Sequence, residues 1–242
     1  LIDITQEELI NEHKNGTTLF KFTGYNMVNT GDTINLNEIC YGYADNIYDK
    51  ILFDGTPHHT AAGLSDDILI ITMGGLSKNY RAAGFRGGWM ILTGAKHKAK
   101  SFIEGLNFLF STRLCANVIT QYGIQTALGG YQSINDLVAK EGRLNRQMNL
   151  AYERMNAIDG VSAVKPKGAL YLFPKIDLSK FNFEDDNHFV MSLLEEQKIL
   201  VVGGQGFNFK EKDHFRIVFL PHVEQLSVAL DKIALHFENY RK

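Results

Sequence analysis

Short apolar runs alternate along the chain with longer segments of helical period. The runs DILIITMGG, residues 67–75, and GWMILTG, residues 88–94, have the length and composition of buried strands. Apolar residues at helical spacing follow over residues 95–128, and Gly129 and Gly130 end that pattern. Strands that alternate with helices in this way predict an α/β arrangement.

A long helix is predicted from about Ser133 to Ile158, because apolar residues recur through it at helical spacing. Short strands and two helices follow, in the segments VSAVKP, GALYLFPKI, DNHFVMSLLEEQ, KILVVGG, HFRIVFL and VEQLSVALDKIALHFENY. The first two segments are expected to pair as strands across residues 166–168. We therefore predict two domains, an α/β domain over residues 1–132 and an α+β domain over residues 133–242.

Composition excludes several functional classes. The 242 residues include 25 basic and 27 acidic side chains, and a net charge of -2 gives no electrostatic footprint for nucleic acid or an anionic membrane. No apolar run approaches the roughly 20 residues of a membrane span. The two cysteines, Cys40 and Cys115, show neither CxxC nor zinc-ligand spacing. No metal site or disulfide framework is predicted, and a reducing cytoplasm fits best.

Candidate chemistry centres on Lys78, in the stretch MGGLSKNYRAAGFRGGWM between the two strands. A nucleophilic lysine amine needs burial or nearby positive charge to lower its pKa from about 10.4. The preceding Gly74, Gly75 and Ser77 are small enough for a ligand to approach the backbone. Arg86 lies further along the same stretch, and its guanidinium suits a phosphate. An imine-forming lysine and a phosphate-binding arginine are two requirements of pyridoxal 5'-phosphate.

Asp45 and Tyr48 fit the remaining needs of this cofactor. A carboxylate about 4 Å from the ring nitrogen would hold a proton there with about 4 kcal/mol at an effective dielectric of about 20. Tyr48 would hydrogen-bond the phenolic oxygen of the cofactor. Each residue also has an ordinary interpretation, because Lys78 fits a solvated loop, Asp45 a turn or helix cap, and Tyr48 core packing.

Taken together, Asp45-x-x-Tyr48, GLSK with Lys78 and AGFRGGW with Arg86 resemble the class I and II aminotransferases, which are fold-type I pyridoxal phosphate enzymes. Further segments are similar to the alanine-aminotransferase-like branch, namely STRLCANVITQYGIQTALGGYQSI, KPKGALYLFPKID, ILVVGGQGFNF and DHFRIVFL. The resemblance runs from about Tyr43 to the C-terminus. It implies a remnant of the cofactor-binding large domain with a mostly parallel sheet, followed by an α+β small domain.

The resemblance also implies roles for the site residues. Lys78 would be the imine lysine and proton shuttle, Asp45 would bind the ring nitrogen, and Tyr48 the cofactor hydroxyl. Ser77 and Arg86 would bind the cofactor as well, Arg86 at its phosphate.

Arg216, in HFRIVFL, would bind the substrate α-carboxylate, with a structural ion pair as the alternative. Phe207 is interpreted either as lining the substrate mouth or as packing within a turn. Four histidines show no ligand spacing and are interpreted as surface residues: His58, His59, His188 and His214.

Some positions depart from the family pattern. Gly75 stands where members commonly carry a phosphate-binding serine, and Asn46 where glutamate is common. Asn29 is the candidate for the asparagine that members carry further upstream. Ahead of Asp45 there is no room for the family's phosphate-binding turn and ring-stacking aromatic residue. The chain is therefore expected to be the second part of an aminotransferase, with apolar surface exposed and solubility reduced.

By this resemblance the chain would transfer an amino group between an amino acid, with alanine favoured, and a 2-oxo acid, 2-oxoglutarate or pyruvate, as a homodimer. Two other interpretations stay open. One is a shortened, catalytically inert relative, and the other is a pyridoxal-phosphate-dependent β-lyase, since a fold does not fix a reaction.

Overall fold

The structure is a computed structural model that describes residues 41–242. These residues divide into two compact units. The first comprises residues 41–50 and 57–132, and the second comprises residues 51–56 and 133–242. The interpretation of residues 1–132 as a large-domain remnant and of 133–242 as a small domain stays a prediction.

The first unit contains a three-stranded sheet in the order β1 (Tyr41–Asp45), β2 (Leu69–Gly75) and β3 (Gly88–Gly94). The first four residues of β2 are consecutively buried, as expected of a central strand covered on both faces. Strand β1 runs parallel to β2, whereas β3 is antiparallel to it. Within the described residues the three strands therefore pair once in parallel and once antiparallel.

Two helices complete the first unit, α1 (Lys100–Arg113) and α2 (Val118–Gly129), as the helical pattern predicted. Asn117 caps α2, since its side chain accepts a hydrogen bond from the backbone N–H of Thr120 at 3.2 Å. None of the residues of α1 is buried within the structure as described, and α2 buries only Thr120. Large apolar side chains along both helices therefore face solvent, among them Phe108, Leu109, Phe110, Ile119 and Tyr122.

The single helix predicted from Ser133 to Ile158 is wrong, because two helices occupy this segment, α3 (Ile134–Val138) and α4 (Arg143–Asn156). Gly142 lies so close to the end of α3 that a Cβ there would collide with carbonyl oxygens of that helix. Successive turns of a regular helix do not come so close together, so the helix is interrupted before Gly142. The apolar period continues across the break, and α4 buries its predicted apolar face.

The second unit adds five short strands and two helices, all with antiparallel strand pairing. The strands are β4 (Val161–Ser162), β5 (Tyr171–Leu172), β6 (Lys175–Ile176), β7 (Val202–Gly203) and β8 (Phe215–Val218), and the helices are α5 (Asp186–Gln197) and α6 (Val223–Asn239). The predicted pairing of VSAVKP with GALYLFPKI holds only between β4 and β6, because β5 pairs with β8. Both helices coincide with the segments predicted for them.

Aromatic rings form the core of the second unit around Phe237 on α6. Its ring lies 4.8 Å from that of Phe189, 5.0 Å from Phe181 and 5.8 Å from Phe183, measured between centroids. All four side chains are buried. The packing of α6 against α5 therefore rests mainly on stacked and edge-on aromatic contacts.

A buried histidine, His236, lies beside this core and was not singled out from the sequence. It is 0% exposed, and its Nε2 lies 2.9 Å from Ser192 Oγ. On the other side its Nδ1 lies 3.3 Å from one carboxylate oxygen of Glu196. The other oxygen of that carboxylate accepts a hydrogen bond from the Tyr240 hydroxyl at 2.6 Å. Burial lowers the pKa of His236, and the Glu196 carboxylate opposes that effect only in part, while His188 adds to it.

We expect stability to fall as the pH drops through the ordinary histidine pKa of about 6.5. Below that value the unfolded chain binds a proton at this position and the folded chain does not, so the free energy of unfolding decreases until the pH reaches the lower folded pKa of His236. Urea unfolding at pH values between about 5 and 8 measures the slope of the free energy of unfolding against pH. His236→Gln should flatten it, and His58→Gln, at an exposed position, should leave it unchanged. An equal slope in all three proteins would contradict the prediction.

Candidate active site

The carboxyl end of β1 forms a tight turn that carries two of the predicted site residues. Asp45 is opposite Met73 of the parallel strand β2, and the next residue, Asn46, donates its backbone N–H to the Met73 carbonyl at 2.8 Å. One carboxylate oxygen of Asp45 accepts a hydrogen bond from the backbone N–H of Ile47 at 3.1 Å. Asp45 is thus a turn residue, and its exposed carboxylate stands beside half-buried Tyr48 on the same turn.

Lys78 lies at the same edge of the sheet, because parallel strands end side by side and Lys78 follows β2 by three residues. Its turn is closed by the backbone N–H of Arg81, which donates to the Lys78 carbonyl at 3.1 Å. The Lys78 ammonium nitrogen lies 6.0 Å from the centroid of the Tyr48 ring. Ser77 and Lys78 are both half-buried. The structure therefore brings Lys78 and Ser77 to the edge that carries Asp45 and Tyr48.

Arg86 belongs to the same unit and ends a short 3₁₀ turn in the left-handed conformation, with φ of 52°. Its exposed guanidinium donates to the carbonyl of Ala83 at 2.7 Å. Buried Thr120 of α2 holds this turn, since its hydroxyl donates to the Phe85 carbonyl at 2.6 Å. Sequence reasoning missed Thr120, whose contact joins residues 35 positions apart.

The glycines around Lys78 have a packing role of their own, and the predicted ligand access at them stays a prediction. A Cβ at Gly74 would lie 2.5 Å from the indole nitrogen of Trp89, and a Cβ at Gly88 would lie 2.8 Å from the Gly74 carbonyl oxygen. A Cβ at Gly87 would collide with the Thr120 methyl group. At Gly75 it would lie 3.1 Å from the Gly87 carbonyl oxygen. These glycines allow close packing within the unit, and ligand access is not needed to explain them.

Asn79, which directly follows Lys78, is a residue of this region that the sequence analysis did not single out. It is 4% exposed, and its side chain donates to a carboxylate oxygen of Asp49 and accepts from the backbone N–H of Lys50 at 3.3 Å. It therefore connects the turn that carries Lys78 with the turn that follows Asp45. No local signal marks it, because both partners are about thirty positions away.

Arg216 lies in the second unit, on β8. Its guanidinium carbon lies 4.8 Å from the ring centroid of Tyr171 and 4.5 Å from that of Phe207. Two aromatic faces therefore hold the half-buried guanidinium. Phe207 ends a 3₁₀ turn, Gly204–Phe207, so it is at once a turn residue and a packing partner of Arg216.

Two of the four histidines interpreted as surface residues are exposed, namely His58 and His59. His188 and His214 are half-buried, which corrects the prediction for them. The ring of His214 stacks on Phe173 at a centroid distance of 5.0 Å. Aromatic packing, which the sequence pattern does not specify, accounts for its burial. Two further residues of the sequence analysis, Asn29 and Cys40, lie outside the described residues, whereas Cys115 is an exposed free cysteine.

The helices of residues 41–242 include none that is both long and apolar enough to cross a membrane.

Comparison with known proteins extends these observations. Residues 36–233 match the family described as aminotransferase class I and II. Over 200 residues the chain is 56% identical to glutamate-pyruvate aminotransferase AlaA of Haemophilus influenzae. This match covers 83% of this chain and 50% of that protein. The chain is 48% identical over 199 residues to alanine aminotransferase of Mycobacterium tuberculosis, covering 82% and 46% of the two chains.

Solved structures give the same result. An aminotransferase from Escherichia coli superposes with a TM-score of 0.81 at 53% identity, covering 84% of this chain and 50% of that one. An alanine aminotransferase from Pyrococcus furiosus gives a TM-score of 0.77 at 34% identity, with 83% and 50% covered. The chain therefore spans about half the length of the relatives it matches.

Proposed function

Because the chain belongs to the aminotransferase class I and II family, we propose that it moves an amino group between an amino acid, with alanine favoured, and a 2-oxo acid, 2-oxoglutarate or pyruvate. The observation that carries the proposal is the placement of Lys78 beside Tyr48 at the sheet edge where Asp45 ends β1. The names of the relatives, glutamate-pyruvate and alanine aminotransferase, support this choice of substrates.

Aminotransferases of this family and fold depend on pyridoxal 5'-phosphate. The side chains of the first unit fit that cofactor by the chemistry of their donors. Lys78 supplies a primary amine for its aldehyde, Asp45 a carboxylate for its ring nitrogen, and Tyr48 a phenol for its hydroxyl. Arg86 supplies a guanidinium and Ser77 a hydroxyl, which are suitable groups for a phosphate.

When bound, the cofactor supplies an electron sink for the charge that develops at the substrate Cα. The protein groups then have separate tasks. Lys78 Nζ would take the proton from Cα of the donor amino acid and, in the return half-reaction, give a proton to the corresponding carbon of the 2-oxo acid acceptor. Asp45 keeps a proton on the ring nitrogen by its negative charge. Arg216 binds the substrate α-carboxylate, and its two aromatic neighbours hold the plane of the guanidinium so that it can make two parallel hydrogen bonds.

A coupled assay tests the proposal. Purified protein loaded with pyridoxal phosphate should form pyruvate from alanine only when 2-oxoglutarate is added as acceptor. Pyruvate from an alanine carrying a leaving group on Cβ, without any acceptor, would instead indicate the β-lyase. Absence of both reactions would favour the inert relative.

Arg216→Gln should raise the KM for alanine by about 10- to 100-fold with a smaller change in kcat, because a charged hydrogen-bond pair to the substrate is lost. Arg241→Gln is the matched control, since Arg241 binds the Asp159 carboxylate at 3.1 Å at an exposed site. An unchanged KM in Arg216→Gln would contradict the assigned role.

A homodimer and a location in the reducing cytoplasm belong to the same proposal. The exposed apolar side chains of α1 and α2 support an association of this kind. Size-exclusion chromatography with light scattering measures the oligomeric state, and a monodisperse monomer would contradict the homodimer.

A further inference from the structure

Asn79 joins the two turns that carry the candidate catalytic groups. We propose that it is a positioning residue that fixes the lysine turn against the Asp45–Tyr48 turn and so sets where the Lys78 amine lies. This inference rests on the proposed function.

The hydrogen bonds of Asn79 allow only one orientation of its amide. The Asp49 carboxylate only accepts hydrogen bonds, and the Lys50 backbone N–H only donates. The amide nitrogen must therefore face Asp49 and the amide oxygen must face Lys50, as the structure shows. At 4% exposure no solvent replaces either bond. Loss of the side chain would remove this partner from both the Asp49 carboxylate and the Lys50 backbone N–H and so detach the lysine turn from them.

The turn contacted by Asn79 is also held at its other end. Asn46 donates to the Met73 carbonyl of β2 at 2.8 Å, and Asp49 donates its backbone N–H to the Asn46 carbonyl at 3.2 Å. The segment from Asp45 to Lys50 is thus attached to β2 at its start and to Asn79 at its end. Tyr48 lies between these two attachments, so its ring has a defined position relative to the lysine turn.

A second contact reinforces the connection. The Lys50 ammonium nitrogen lies 5.5 Å from the ring centroid of Tyr80 and 2.7 Å from the side-chain oxygen of Gln132. Asn79 and Tyr80 directly follow Lys78 in the chain, and both contact the residue pair 49–50. Only one peptide bond separates the Cα of Lys78 from this anchor. Since the lysine side chain is a flexible four-carbon stem, the fixed Cα is what limits where its amine can be found.

The inference is tested first without any cofactor. Lysine amines are labelled with limiting acetic anhydride, and peptide mass spectrometry gives the labelling rate of Lys78 relative to exposed Lys96. Asn79→Ala should raise that ratio by about fivefold, because release of the turn exposes the half-buried amine. Asn145→Ala is the matched control. Asn145 is 1% exposed and links α4 to the Val138 carbonyl at 3.3 Å in the second unit, so the ratio should stay unchanged.

A reciprocal exchange separates positioning from general folding. Asn79→Asp alone sets two carboxylates against each other and should disturb Lys78 at least as much as Asn79→Ala. Combined with Asp49→Asn, it restores a donor–acceptor pair with the roles exchanged and the same net charge, and the new carboxylate still accepts from Lys50. The labelling ratio should return to within about twofold of wild type. If Asn79→Ala fails to fold, Asp49→Ala, which removes one bond at a half-buried site, is measured instead.

The loaded protein gives the second readout. Asn79→Ala should lower kcat for alanine by about 100-fold with little change in KM, as expected for a misplaced catalytic group. An unchanged Lys78 labelling ratio in Asn79→Ala, or no recovery in the double variant, would overturn the role of Asn79. If wild type itself forms no product, the proposed function fails, and the labelling ratio still decides whether Asn79 positions the lysine.

Discussion

Lys78→Ala should leave a protein that no longer develops a borohydride-reducible visible absorption band when pyridoxal phosphate is added. Under the proposed function the amine of Lys78 would hold the cofactor through its aldehyde, and alanine offers no replacement. Amino-group transfer should fall by about 100- to 10,000-fold, because proton transfer at the substrate Cα is lost as well. Absorption spectra before and after borohydride, with peptide mass mapping of the reduced protein, measure both effects.

Two variants make this experiment specific. Lys78→Arg keeps the positive charge, but a guanidinium stays protonated and should form no adduct. Lys96→Ala removes an exposed lysine of the same unit and should behave like wild type. If the reduced adduct maps to other lysines, or if Lys78→Ala keeps the band, then Lys78 is not the cofactor lysine.

Phe237→Ala should destabilise the second unit by about 3–5 kcal/mol, the usual cost of removing a fully buried phenylalanine. Its ring is 0% exposed and lies 6.1 Å from that of Phe215 and 4.8 Å from that of Phe189 on α5. Little can move to fill the space, because its neighbours are themselves rigid aromatic rings. Native-state hydrogen exchange of amides in α6 and β8 reports the change for this unit alone.

Phe209→Ala provides the comparison for this prediction. Phe209 also contacts an aromatic ring, that of Phe173 at 5.3 Å, but its side chain is 37% exposed. Its loss should cost about 1 kcal/mol or less. Equal exchange rates in the two variants would mean that the aromatic cluster around Phe237 does not determine the stability of the unit.

Features set by local pattern were predictable from the sequence. Helices α5 and α6 and strand β2 lie where apolar period and run length placed them. The motif residues Asp45, Tyr48 and Lys78 come together because each follows or ends a strand, and strand ends are visible in the sequence.

Features set by distant contacts were not predictable in this way. The break before Gly142 depends on how closely its backbone approaches α3, and an apolar period that continues across the break conceals it. Similarly, the direction of β3 depends on a chain reversal between Gly75 and Gly88, which the glycines permit but do not specify. Asn79 acquires its importance from partners about thirty residues earlier, and no spacing rule connects them.

Helix α1 buries no side chain fully against the described residues, and its half-buried Phe102 and Ile103 pack on the core around Leu69. A helix of 14 residues is marginal in water when its own backbone hydrogen bonds must hold it. We therefore expect the end of α1 beyond Phe102 and Ile103 to open more readily than the sheet, whose central strand β2 is buried. Backbone amides of β2 should accordingly exchange more slowly than those in the last turns of α1.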